Sequence, residues 1–178
     1  MTAVTSPSSV ASTTLPAAIL WDLDGTLVDT EPLWIAAETA LVHSHGGVWT
    51  HEDALTLVGN SLDESAAILI SRGVNLTPEQ LIATLIEQVN GEVERLGPQW
   101  RPGARELVSE AAERGIPQAI VTMSYRVQAE TVAAALPPGA ITTIVAGDMV
   151  TVGKPDPEAY LMAAEVLGVP ITECIGVA

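Results

Sequence analysis

Ile19-Leu20-Trp21-Asp22-Leu23-Asp24-Gly25-Thr26-Leu27-Val28-Asp29-Thr30 is the stretch that decides the fold. Ala17 to Trp21 is a short apolar run, read as a buried strand, and the glycine after Asp24 marks a turn. In a strand, residues i and i+2 point the same way. Asp22 and Asp24 therefore converge where the strand ends. Two carboxylates at such a place can hold a divalent cation, attack an electrophile or pass a proton. The only lysine of the chain, Lys154, lies in Gly153-Lys154-Pro155-Asp156-Pro157, against a net charge of −15. A lone lysine beside a helix start in so acidic a chain reads as a site residue.

Outward from this stretch, Pro32 to about Gly97 carries a helical pattern. Thr77-Pro78-Glu79-Gln80 is a capping box with proline at the first helical position, and Ser61-Leu62-Asp63-Glu64 is a second candidate. After Gly97-Pro98 and Pro102-Gly103 the elements alternate. Helices are expected over 104–114, 125–136 and 157–167, and strands over 118–121, 141–145 and 174–177. This alternation predicts an α/β fold with a doubly wound parallel sheet. Ligands of such sheets sit at the carboxyl ends of the strands, where Asp22, Thr122 and Ala178 fall.

Composition narrows the function. The 178 residues, 48% hydrophobic and 16% charged, describe a globular chain long enough to bury a core. The acidic balance argues against a nucleic-acid partner. No apolar run reaches membrane-spanning length. Residues 1–16 are rich in Ser, Thr, Ala and Pro without Lys or Arg, unlike a signal peptide. They read as a flexible tail on a cytoplasmic protein. The single Cys174 reads as a small buried hydrophobe. His43, His45 and His51 lack supporting carboxylates or cysteines and read as solvated. Ser124 and Asp156 read as helix caps.

Three ordered segments resemble the motifs of the haloacid dehalogenase superfamily. Asp22 to Thr30 resembles motif I, Ile120-Val121-Thr122-Met123-Ser124 motif II, and Gly153 to Pro157 motif III. Asp22 and Thr122 are 100 residues apart, and Thr122 and Lys154 are 32 apart. The longer gap suits the subgroup with a helical cap inserted after motif I, as do Glu31-Pro32-Leu33-Trp34 and Arg101-Pro102-Gly103-Ala104. The resemblance implies a core over 17–31 and 100–178 and a cap over 32–99.

It further implies a Mg²⁺-dependent phosphatase acting on a small phosphorylated metabolite, a sugar phosphate or a phosphoglycolate-like acid. Asp22 would be the nucleophile and, with the Asp24 carbonyl, a metal ligand. The Asp24 carboxyl would serve as general acid and base; Thr122 and Lys154 would bind the phosphoryl group. Asn60, Ser61 and Leu62 would form the substrate-selecting cap loop. Leu62 and Trp34 stand where mutase relatives carry an arginine and a histidine, which disfavours a hexose-phosphate mutase. In relatives the strand matching Cys174 to Val177 is followed by an acidic pair that ligates Mg²⁺; here the first of those positions is Ala178. The expectation is a chain shortened before its fourth motif, with a weakened metal site and a sheet edge that favours association. It would be a monomer or a weak homodimer, and an inactive truncated remnant is the rival reading.

Overall fold

A computed structural model describes residues 15–178. Most of the expected tail, residues 1–14, lies outside the described residues. The chain runs β1 (Ala18–Trp21), α1 (Glu31–Ser44), α2 (His51–Leu55), α3 (Leu62–Ser71), α4 (Pro78–Leu96), α5 (Ala104–Glu113), β2 (Gln118–Val121), α6 (Arg126–Ala133), β3 (Thr143–Val145), α7 (Glu158–Leu167) and β4 (Cys174–Val177). The four strands are parallel, in the order β3-β2-β1-β4. The chain thus moves outward from β1 through β2 to β3, then crosses back to pair β4 on the far side of β1. The winding reverses at β1, so the crevice at its carboxyl end is the place for a ligand.

Strand alternation divides the core between the two faces of the sheet. Trp21 and Ile120 face a large apolar cluster that takes in Val108 of α5 and Ala129 and Val132 of α6. Leu20, Ala119 and Val121 face the other way, onto Ala159 and Ala163 of α7. The small alanines let α7 approach the sheet closely. Gln118 is a buried polar exception, 0% exposed. Its Oε1 accepts from Trp21 Nε1 at 2.8 Å, and its Nε2 donates to the carbonyls of Val108 at 2.9 Å and Ala140 at 3.1 Å. One satisfied amide therefore ties β2 to β1, to α5 and to the segment before β3.

The helical region between motifs I and II forms as its caps direct. Thr77 and Ser61 complete the two expected capping boxes, and Pro78 opens α4. A third box, Thr50 with Asp53, starts the short α2. Leu81, Leu85 and Val89 of α4 are buried against the helices around them. Leu41, Leu69 and Leu81 join the same apolar cluster as Leu23, Leu27 and Val28 of the sheet side. Two crossing segments connect the helical region to the sheet. Val28 bridges Trp100 in antiparallel fashion, Asp29 N donates to Gln99 O at 2.8 Å, and Arg101 N donates to Leu27 O at 2.9 Å.

Two expectations about single residues change. Cys174 is half-buried, not fully buried, because it opens β4 at the sheet edge. Burial and the nearby Glu173 push its thiol pKa upward. Ser124 does not cap α6: the cap position is Tyr125, with no side-chain cap bond. The first-turn N–H of Arg126 is instead taken by Asp148 Oδ1 at 3.0 Å. Asp156 does act at a helix start, its Oδ1 accepting from Glu158 N at 2.9 Å. His43, His45 and His51 are exposed. Among the described residues, no helix is long and apolar enough to cross a membrane.

Candidate active site

Asp22 is the first residue past β1, and its N–H donates to Val177 O at 2.8 Å, which fixes it against the end of β4. The following turn is tight because Leu23 O accepts from the amides of Thr26, Leu27 and Val28. Gly25 sits inside it at φ 80°, a left-handed conformation that disfavours side chains. The turn brings Thr26 back onto Asp22, its hydroxyl donating to Oδ2 at 3.1 Å. The other oxygen, Oδ1, accepts from Lys154 Nζ at 2.6 Å. Nζ also donates to Val121 O at 2.8 Å and lies 5.0 Å from the centre of the Tyr160 ring. The ammonium is therefore placed by one carboxylate, one strand-end carbonyl and one aromatic face.

Asp24 is oriented by hydroxyls. Oδ1 accepts from Thr30 and Oδ2 from Ser124, each at 2.5 Å, and Thr122 Oγ1 lies 3.4 Å from Oδ2. Thr122 is 1% exposed and also accepts from Ser124 N at 3.0 Å. Ser124 thus orients the second carboxylate in place of the helix cap expected of it. The loop after β2 runs tight against the loop after β3. A Cβ on Gly147 would lie 2.2 Å from Met123 O, so only glycine fits there.

Asp22, Asp24, Thr122 and Lys154, expected from the sequence to act together, line one cavity of about 770 Å³. Asn60, Ser61 and Leu62 line the same cavity from the opposite side. The Ser61 hydroxyl is engaged in the capping box with Glu64, at 2.9 and 3.2 Å. Among the polar residues of its wall that sequence reasoning missed, Thr30, Ser65 and Glu38 are buried. Glu31, Trp34 and Glu38 are spaced three, then four, residues apart along α1, a helical-face pattern that could have flagged Glu38. Glu38 is buried, and desolvation raises its carboxyl pKa to about 7. Tyr125, at the cavity wall, has its phenol pKa raised by burial and then by the charges of Asp63 and Asp148. A second cavity of about 840 Å³ runs along α4 and contains none of the four core residues.

The oxygen donors at the strand end suit a hard cation such as Mg²⁺. Among the described residues, no group of three or more His, Cys, Asp or Glu side chains gathers to hold a metal. The Asp22 carboxylate and the Asp24 carbonyl are the groups that would hold such a cation.

Fold and site together define an α/β enzyme whose cavity opens at the carboxyl end of its first strand. The chain belongs to the haloacid dehalogenase-like hydrolases: the model of that family matches residues 16–177. It is 32% identical over 158 residues to hexitol phosphatase A of Escherichia coli, covering 88% of this chain and 71% of that protein. It is 30% identical over 156 residues to the phosphorylated carbohydrates phosphatase of Thermotoga maritima, covering 85% and 71%. A CBBY-like protein of Arabidopsis thaliana is 30% identical over 198 residues, and the chain spans 60% of its length. Among solved structures, CbbY of Rhodobacter sphaeroides in complex with phosphate superposes with a TM-score of 0.79 at 28% identity, covering 91% of this chain and 77% of that one.

Proposed function

We propose that this protein hydrolyses small phosphate monoesters, sugar or polyol phosphates among them, through a phosphorylated Asp22. The observation that carries the reading is the Asp22–Lys154 contact beside Asp24, in one cavity at the winding reversal. The names of the Escherichia coli and Thermotoga maritima relatives support the same substrate class.

In this reading an Asp22 oxygen attacks phosphorus and the ester P–O bond breaks. The leaving oxygen takes a proton from Asp24. Asp24, now a carboxylate, removes a proton from water. That water attacks the phosphorus of the aspartyl-phosphate, which releases phosphate and restores Asp22. Lys154 offsets negative charge on the nucleophile and the phosphoryl oxygens together. Thr122 and its loop hold the phosphoryl group. Asp22 and the Asp24 carbonyl would hold Mg²⁺, which would supply neutralisation of phosphoryl charge. Residues 32–99 act as the cap domain over a core of 17–31 and 100–178, and exclude bulk water from the cavity. Leu62 and Trp34 on the cavity wall offer no charge to a second phosphate, which favours hydrolysis over a mutase reaction.

The test is phosphate release from a panel of sugar phosphates with Mg²⁺, with EDTA and with Asp22→Asn as controls. Release that disappears in both controls supports the reading. A folded chain, verified by circular dichroism, that releases nothing overturns it.

A further inference from the structure

Glu38 and Ser65 lie in the cavity wall formed by the helical region, Glu38 on α1 and Ser65 on α3. Glu38 is 5% exposed and Ser65 3%. No hydrogen bond joins either side chain to another described residue, and neither is among the polar atoms sealed from solvent without a partner, so both are open to the cavity. A carboxyl this enclosed gains from any group in the cavity that bonds it. The occupant of the cavity is the group positioned to do so.

The charge of the wall restricts that occupant. Asp29, Glu31, Asp63 and Asp148 line the cavity in addition to Asp22, Asp24 and Glu38, and Lys154 is its one cationic side chain. Lys154 is already engaged at Asp22. A carboxylate or second phosphate on the substrate would meet acids and no free cation, whereas an aliphatic hydroxyl can donate to Glu38 and exchange a hydrogen bond with Ser65.

We propose that Glu38 and Ser65 are the specificity-determining pair for the organic part of the substrate, and that they select an uncharged, hydroxyl-bearing phosphate monoester over carboxylated phosphates and bisphosphates. The proposal rests on the phosphatase reading for the location of the phosphoryl group. Glu38 accepts from a substrate hydroxyl, and Ser65 exchanges a hydrogen bond with the same part of the substrate. The acids of the wall, Asp63 and Asp148 among them, repel a second anion.

Four substrates separate the outcomes: p-nitrophenyl phosphate, sorbitol 6-phosphate, phosphoglycolate and fructose 1,6-bisphosphate. Turnover of p-nitrophenyl phosphate that depends on Asp22 tests the phosphatase reading alone. The selection is tested by kcat/KM across the panel for wild type, Glu38→Gln, Glu38→Leu and Ser65→Ala. Loss of the hydrogen bond predicts a KM for sorbitol 6-phosphate about 5- to 10-fold higher in Glu38→Leu. The readout is the ratio of kcat/KM for sorbitol 6-phosphate to that for p-nitrophenyl phosphate, which has no hydroxyl; this ratio falls by a similar factor in the same variant. Glu38→Gln keeps an acceptor and retains most of the sorbitol 6-phosphate binding. Calorimetric binding of sorbitol 6-phosphate and phosphoglycolate to Asp22→Asn reads the same selection without turnover. Phosphoglycolate or the bisphosphate bound as tightly as sorbitol 6-phosphate overturns the proposal. So does an unchanged sorbitol 6-phosphate KM in both Glu38→Leu and Ser65→Ala.

Discussion

Lys154 Nζ stands 2.6 Å from Asp22 Oδ1, a contact that joins the end of β1 to a loop 132 residues further along the chain. The same ammonium donates to Val121 O, so it anchors to the end of β2 as well. Its position is set by backbone and aromatic groups as much as by the acid it neutralises. Lys154→Met keeps the stem and removes the charge. It should lower kcat for phosphate release by about 10²- to 10³-fold, the scale of a lost electrostatic stabiliser. Lys154→Arg should restore little, because a planar fork does not match a compact ammonium held by one carboxylate and one carbonyl. Steady-state kinetics on both variants check this.

Thr30 donates to Asp24 and makes no cap bond to α1, although it is the residue before that helix. Thr30→Val therefore removes an orienting hydroxyl while sparing the helix start. The expected result is kcat lower by about 10-fold with stability changed by about 1 kcal/mol or less. Kinetics paired with thermal melts separate the two effects.

Glu38 gives stability a pH dependence. Desolvation pushes its folded-state carboxyl pKa from the ordinary 4.5 up to about 7. Between those values the folded state holds a proton that the unfolded chain has released. Stability from this group therefore falls as pH rises from about 4.5 to 7 and stays low above it. Glu38→Gln should be more stable than wild type at pH 8, by on the order of 2 kcal/mol after allowance for water in the cavity. The difference should vanish near pH 4.5. Urea melts at a series of pH values measure it.

Gly147→Ala places a methyl against the carbonyl of Met123, backbone that cannot rotate away. The loop carrying Thr122 and Ser124 must shift. A loss of about 2–3 kcal/mol is expected, together with reduced turnover, because Ser124 orients Asp24. Denaturant melts and kinetics on the one variant detect both.

Gln118→Leu strips partners from Trp21 Nε1 and from the carbonyls of Val108 and Ala140. Buried groups left unpaired should cost about 3 kcal/mol or more. The loss would be visible as a lowered Tm without any change in the residues of the cavity.

The alternation of strand and helix, the capping boxes at Ser61 and Thr77, and the convergence of Asp22, Thr122 and Lys154 were all legible in the chain. Each depends on local spacing or on an ordered motif. Glu38 was not legible in the same way. Burial of a carboxyl depends on which helices close around it, and α1 is apolar on several sides. Ser124 was misread because a serine just before a helix is a good cap by local rules. Asp148, 22 residues beyond Arg126, takes that duty and frees the hydroxyl for Asp24. Gln118 looked like an ordinary strand residue, since nothing in the sequence marks the three groups that meet it.

The solitary lysine has one more use. Its ε-amine is the only one in the sequence, so reductive methylation with ¹³C-formaldehyde places a single side-chain isotope label in the cavity and keeps the positive charge. The resonance of that label would report the neighbourhood of Asp22 directly. Its shift on adding vanadate, a sugar phosphate or Mg²⁺ would make the chain its own spectrometer tag, with no engineered probe.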